Sequence, residues 1–218
     1  DALDIAGYAA TVHELAWSDF CDWYLEMAKL DLRREDANPQ ARAATWGTAA
    51  EALGTVLRLL HPQMPFVTEE IWSALGDAHP AASAGEPLLI RARWPQPAAT
   101  DPDAEGEFED LSGLIRAVRN LRTDAGVAAG RWVPLHVRAT DGPAMAALTA
   151  GRSYVESLAR VRPIEITEAG QPPDMVATSA FGPAWIEVAA PTTDAGTIER
   201  RAARLEDLAA NIERVRNL

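Results

Sequence analysis

Side chains that commonly carry out chemistry are few in this 218-residue sequence, and they lie far apart. The four histidines form no HxxxH spacing, and the one cysteine, Cys21, cannot supply a CxxC pair for zinc. The sequence also contains no glycine-rich phosphate loop and no GxSxG nucleophile turn. We therefore predict no catalytic residue and no metal site in this chain.

The remaining reactive groups have structural explanations. The adjacent pair Glu69 and Glu70 follows the start of a predicted helix, where carboxylates favour the positive end of the helix dipole. Cys21 lies between Phe20 and Trp23, which predicts a packed thiol rather than a nucleophile. These residues are expected to stabilise the folded structure rather than to take part in catalysis.

The charge distribution restricts where a polyanion could bind. The formal net charge is −12, which argues against a protein that binds nucleic acid over its whole surface. It gives no indication of DNA binding. Residues 111–160, however, carry seven arginines against three acids, a local net charge of +4. Any polyanionic partner is expected to meet that stretch.

Apolar periodicity predicts helices in the first part of the chain. One helix runs from the beginning of the sequence to the break at Asn38-Pro39, and three others cover residues 40–60, 65–75 and 108–125. The intervening segment 76–107 is predicted to be a loop that contains one strand, at residues 88–93. Four helices with apolar stripes predict a bundle over residues 1–126.

The pattern changes after Gly130. Residues 132–139, 164–167, 176–181 and 185–189 read as short strands around a helix at 143–160, broken near Gly151. This predicts a small α+β domain over residues 127–192. Residues 193–218 carry a heptad of apolar positions and predict the start of a coiled-coil helix. The expected fold class is mainly α, with a helical bundle, a small α+β unit and that coiled-coil start.

Two stretches, 17–26 and 61–72, are rich in aromatic residues. Most of Phe20, Trp23, Phe66 and Trp72 are expected in the core, and Trp46 is placed on an inner helix position. The alternative is that an exposed ring stacks on unpaired RNA bases. Periodicity alone leaves both interpretations open.

The string SDFCDWYLEMAKLDL, followed by LHPQMPFVTEEIWSAL, resembles the anticodon-binding helical domain of class I aminoacyl-tRNA synthetases. The forms FCDWYLE and HPQMPFVTEEIW resemble the valyl branch rather than the isoleucyl or leucyl branches. The later run LIRAVRNLRTDAGVAAGRWVPLHV is similar to the segment that follows the bundle in that family. The ending TIERRAARLEDLAANIERVRNL resembles the entry into a C-terminal coiled-coil arm.

This resemblance implies a C-terminal fragment of a ligase that attaches valine to tRNA(Val) with ATP and magnesium. The His-Ile-Gly-His and Lys-Met-Ser-Lys-Ser signatures of the catalytic domain are absent, so the fragment itself is expected to be inactive and to hold no cofactor. A monomeric cytoplasmic parent is expected, without a signal peptide or membrane span. The alternatives are a free-standing helical protein-interaction module and the equivalent domain of an isoleucyl enzyme.

Candidate tRNA contacts follow from position and charge. On the fourth helix, three arginines step by three residues and flank the apolar stripe, so we expect them to face solvent. A second basic cluster lies at the end of the first helix, and an aromatic residue precedes it. The rival interpretation is that these charges balance acids on neighbouring helices. The predicted tRNA-binding residues are Trp23, Lys29, Arg33, Arg34, Arg116, Arg119 and Arg122.

Overall fold

A computed structural model describes residues 4–34, 38–83, 85–97, 99–167, 173 and 176–188. The chain divides into two compact units, one up to Glu109 and one from Asp110. The division falls inside a helix, whereas the sequence places the end of the first domain at residue 126. The predicted coiled-coil start at 193–218 lies outside the described residues.

The first unit begins with one long helical segment, as predicted. It comprises α1 (Ile5–Glu14), a π-helical stretch (Leu15–Tyr24) and α2 (Leu25–Arg33). The Asp4 side chain accepts a hydrogen bond from the Gly7 amide at 2.8 Å and caps the first turn. Without an internal proline, the backbone passes through all three parts without a break.

Two further helices pack in this unit. Helix α3 (Pro39–Leu60) starts at Asn38, whose side chain accepts from the Ala41 amide, and a proline occupies its first turn. Helix α4 (Pro65–Ala78) follows after a short turn. Two apolar clusters form the core of the unit, one between the first helix and α3 and one between α3 and α4. Their largest members include Phe20, Leu57 and Trp72.

The predicted strand at 88–93 is wrong, because Leu89–Arg91 forms a 3₁₀ turn. The Glu69 carboxylate of α4 accepts hydrogen bonds from the amides of Leu89 at 2.8 Å and Ile90 at 3.3 Å. Those amides are therefore bound to a side chain rather than to a neighbouring strand. The expected role of Glu69 at the start of its own helix is wrong as well, since it caps this distant turn.

Three other expectations about burial are wrong. Phe66 is 91% exposed and Trp46 is 61% exposed, although apolar periodicity predicts both in the core. On α4 the buried positions are Thr68, Trp72 and Leu75, and Phe66 lies on the opposite side of the helix. Cys21 is also exposed rather than packed.

Helix α5 (Pro102–Asp124) begins six residues before its predicted start, and its later half belongs to the second unit. There the Arg119 side chain donates to the carbonyl of Leu158, and Leu111 lies beside Gly151. These contacts explain why the compact unit starts within α5. No helix in the described ranges is long and apolar enough to cross a membrane.

The rest of the second unit is a small α+β layer. Its strands are β1 (Val133–Arg138), β2 (Val161–Thr167), β3 (Ala177–Ser179) and β4 (Gly182–Ile186), and its helices are α6 (Gly142–Ala150) and α7 (Arg152–Ala159). The sheet order is β2-β1-β4-β3. Strands β1 and β2 are parallel, and the two helices connect them as a crossover. Strand β4 is antiparallel to both β1 and β3.

Alternation decides which side chains of this layer are buried. Val133, Leu135 and Val137 on β1 are all fully buried, as period-two patterning requires. In register, Leu135 lies opposite Ile164 of β2 and Ile186 of β4. The predicted class, mainly α with a small α+β unit, is confirmed.

Candidate nucleic-acid interface

A group of basic side chains lies where α2 ends and α3 begins. Lys29 and Arg33 are four residues apart on α2 and therefore share one helix face, and both are exposed. The backbone leaves the helix at Arg34, whose ψ is 121°. The Nη2 group of Arg42 on α3 donates to the Arg34 carbonyl at 3.1 Å. We call Lys29, Arg33, Arg34 and Arg42 the basic corner.

Arg42 was missed by the sequence reasoning. It lies eight residues after Arg34 and on a different helix, so no single-helix pattern connects the two. The sequence signal that could have found it is the short connection at Asn38-Pro39, which forces α3 to start close to the end of α2. Within the basic corner, the Lys29 Nζ lies 2.5 Å from Glu26 Oε1.

Trp23 lies in the π-helical stretch of the first helix and is half-buried. Its ring meets Phe108 edge-on, with the centroids 6.0 Å apart and an interplanar angle of 87°. An edge-to-face pair of this kind holds a ring in one orientation. Stacking of Trp23 on a base stays a prediction.

The three arginines on α5 do not behave alike. Arg116 is exposed and donates to the Ser112 hydroxyl at 2.9 Å, and Arg119 is exposed and donates to the Leu158 carbonyl at 2.9 Å. Arg122 is only 6% exposed. The expectation that Arg122 faces solvent is wrong.

Helix geometry explains the burial of Arg122. Three residues advance about 300° around an α-helix, so each step of three falls back by about 60°. From residue 116 to residue 122 the drift is about 120°, which carries the third arginine into the apolar stripe. Arg122 lies four residues after Val118 and seven after Ile115, and both are fully buried. This spacing was visible in the sequence.

The Arg122 guanidinium is held by backbone carbonyls. Nη1 donates to the carbonyl of Arg160 at 2.9 Å, and Nη2 donates to those of Ala128 at 3.1 Å and Arg131 at 2.8 Å. Burial lowers the pKa of Arg122, and the nearby positive charge of Arg160 lowers it further. Arg122 therefore links the end of α5 to two loops, and direct contact with a ligand is limited by its burial.

Exposed aromatic rings accompany the basic corner in the first unit. Trp46 on α3 lines an apolar groove of about 540 Å³, together with Phe20, Cys21, Leu25 and Leu53. Trp17 is 43% exposed and stacks on His13, with ring centroids 4.5 Å apart. Flat exposed rings of this kind can stack on unpaired bases, and the sequence reasoning did not select either tryptophan.

The described fold is thus a helical bundle with a basic corner and exposed aromatic rings, followed by a small mixed sheet. The family model for the anticodon-binding domain of tRNA ligases matches residues 1–137 of this chain. The chain belongs to that family.

Several valine–tRNA ligases are similar in sequence to this chain. A valine–tRNA ligase of Nostoc sp. is 38% identical over 178 residues, which are 81% of this chain and 17% of that protein. A valine–tRNA ligase of Bacillus subtilis is 35% identical over 221 residues, 99% of this chain and 24% of that protein. One from Thermus thermophilus is 39% identical over 143 residues, 66% of this chain and 15% of its own length. The chain spans about a fifth of the length of these relatives.

Proposed function

We propose that this chain is the anticodon-binding part of a valine–tRNA ligase and holds tRNA(Val) by its anticodon stem-loop. The observation that carries this proposal is the match of residues 1–137 to the anticodon-binding domain of tRNA ligases. The valyl specificity comes from the names of relatives that are 34–39% identical to this chain.

The basic corner supports this proposal within a chain of net charge −12. Arginine suits phosphate because its planar guanidinium can donate two parallel hydrogen bonds to one anion. Arg33 and Arg34 are exposed at the end of α2. Arg116 and Arg119 on α5 form a second exposed pair within the net +4 stretch at 111–160. Trp23 remains the proposed stacking residue.

The activity of the whole protein is part of the same proposal. The parent would join valine to tRNA(Val) with ATP and magnesium, as a monomer in the cytoplasm. Among the described residues, no cluster of three or more His, Cys, Asp or Glu side chains could hold a metal ion. In this proposal, magnesium and ATP would be held by another part of the parent, and this chain alone would be inactive.

The decisive experiment measures tRNA(Val) binding by the chain at several salt concentrations. Neutralising about three to five phosphates should give a log–log salt slope of roughly −2 to −4 through counterion release. The double variant Lys29→Ala/Arg33→Ala should weaken binding about tenfold at low salt, and Arg116→Ala/Arg119→Ala by a similar factor. Arg122 is left intact because its removal would disturb the fold.

The matched control is Arg91→Ala/Arg93→Ala, which also removes two exposed positive charges from the first unit but lies outside the basic corner. It should bind tRNA(Val) nearly as the unaltered chain does. If both basic variants bind like the unaltered chain, the assignment of these residues fails. Tighter binding of tRNA(Ile) would favour the isoleucyl alternative. If the chain captures a protein partner and shows no affinity for tRNA, the alternative of a protein-interaction module is favoured.

A further inference from the structure

The second unit contains a cavity of about 290 Å³ beside the end of α5. Three arginines line it, Arg119, Arg122 and Arg160. The other lining residues are small or apolar and include Thr123, Val127 and Leu158. None of the described residues that line it is an aspartate or a glutamate. These lining residues therefore carry three positive charges and no side-chain negative charge.

The innermost of these charges belongs to Arg122. All three hydrogen bonds of its guanidinium end on carbonyl oxygens. Within the described ranges, no carboxylate forms an ion pair with it. A buried cation usually has a carboxylate or another anion beside it, because carbonyl dipoles satisfy its hydrogen bonds without neutralising its charge. Arg122 thus contributes a buried positive charge to the lining of the cavity.

Two more cations lie at the cavity with exposed side chains. Arg160 follows α7 in the left-handed region, with φ 52°, and its charge acts on Arg122. The Nε of Arg119 donates a hydrogen bond to the carbonyl of Leu158, which also lines the cavity. The positive charges of the arginines that line the cavity repel one another. An anion bound between these arginines would reduce that repulsion.

Helix dipoles do not cancel this charge. The ends of α5 and α7 both lie near the cavity, and each contributes a partial charge of about −0.5. Two helix ends therefore offset about one of the three positive charges. The positive charge of the lining arginines therefore exceeds the opposite partial charge of these helix ends, which favours an anion.

We propose that this cavity is a phosphate-binding site formed by Arg119, Arg160 and the buried charge of Arg122. The phosphate could be free in solution or belong to an RNA backbone, and only the second source rests on the proposed function. Arg119 and Arg160 would donate hydrogen bonds to the phosphate oxygens. Arg122 would act mainly through its charge, since it is 6% exposed and three of its N–H donors already bind carbonyls.

The test uses the 218-residue chain and inorganic phosphate at constant ionic strength, with chloride as the replacing anion. Backbone amide shifts around Thr123, Val127 and Leu158 should move in one saturable step. Arg160→Gln and Arg119→Gln should each lower phosphate affinity about tenfold, because each removes one charged donor pair. Two independent variants keep the test informative if one of them folds poorly.

The matched control is Arg131→Gln, which removes an exposed arginine of the same unit that does not line the cavity. Its phosphate affinity should stay within about twofold of the unaltered chain. The proposal is overturned if phosphate gives no saturable shifts, or if the control loses as much affinity as the two cavity variants.

A second arm identifies the source of the phosphate. If Arg160→Gln also weakens tRNA(Val) binding at low salt, the site receives a backbone phosphate. If it weakens inorganic phosphate alone, the cavity is a site for a free phosphate. The phosphate titration does not involve the basic corner. A variant of the basic corner that loses tRNA binding therefore leaves the phosphate result unchanged.

Discussion

The Arg122 guanidinium donates to the Arg160 carbonyl across 2.9 Å and thereby ties the end of α5 to the turn that follows α7. Residue 160 adopts a left-handed backbone with φ 52°, which is uncommon for any residue except glycine. The hydrogen bond holds that turn in place from the inside. A charge predicted to meet tRNA thus supports the backbone of the second unit.

Replacing Arg122 with methionine should destabilise the chain by about 3 kcal/mol or more. The change would remove a buried guanidinium that donates to the carbonyls of Ala128, Arg131 and Arg160. Urea unfolding followed by circular dichroism would measure the loss. Arg119→Met is the control, since Arg119 is exposed and bonds one carbonyl through its Nε. It should cost less than about 1 kcal/mol, and equal losses would contradict the role assigned to Arg122.

Local signals predicted the helices well because their causes are local. Asn38-Pro39 combines a capping side chain with a residue suited to the first turn, and α3 begins there. The alternation in residues 132–139 led directly to β1, because every second side chain faces the core. In both places the neighbouring residues alone decide the outcome.

The expectations that were wrong depended on partners distant in sequence. The turn at Leu89–Arg91 is set by Glu69, twenty residues earlier, and no window around residue 89 contains that carboxylate. The cavity in the second unit was not predicted, because Arg119 and Arg160 are distant in sequence and line it together only where α7 packs beside α5. Arg122 is different, since its spacing from Val118 already placed it on the buried side.

The Tyr24 phenol is expected to make the folding stability of the chain decrease at alkaline pH. Burial raises the pKa of Tyr24 above its ordinary value, and the Asp31 carboxylate raises it further. The neutral phenol is therefore favoured more strongly in the folded chain than in the unfolded one. The resulting stability is complete below about pH 10 and is lost as the pH rises through the folded-state pKa.

We expect Tyr24→Phe to flatten the decline of stability above about pH 10. The measurement is the free energy of unfolding in urea at several pH values, together with ultraviolet absorbance to follow phenolate formation. Asp31→Asn should lower the pKa of Tyr24 only in part, because burial is the larger cause. A Tyr24 titration at the ordinary value in the unaltered chain would contradict this account.

Glu69 joins α4 to the 3₁₀ turn across the first unit. Its two carboxylate oxygens accept from the Leu89 and Ile90 amides, and Oε2 also lies 4.0 Å from Nε2 of His61. Leu89, directly at this contact, is 3% exposed and packs in the same cluster as Trp72. The carboxylate therefore orients a turn whose apolar side chain belongs to the core.

Glu69→Gln should cost about 1 kcal/mol of folding stability, because a neutral amide keeps one acceptor oxygen and loses the charge that strengthens both hydrogen bonds. Hydrogen exchange should report the change locally, with the amides of Leu89 and Ile90 exchanging faster than in the unaltered chain. Glu70→Gln is the matched control, since the neighbouring Glu70 side chain is exposed and lies outside this contact. It should leave both amides and the urea midpoint nearly unchanged. If the two variants behave alike, the turn is held by the burial of Leu89 and not by the carboxylate.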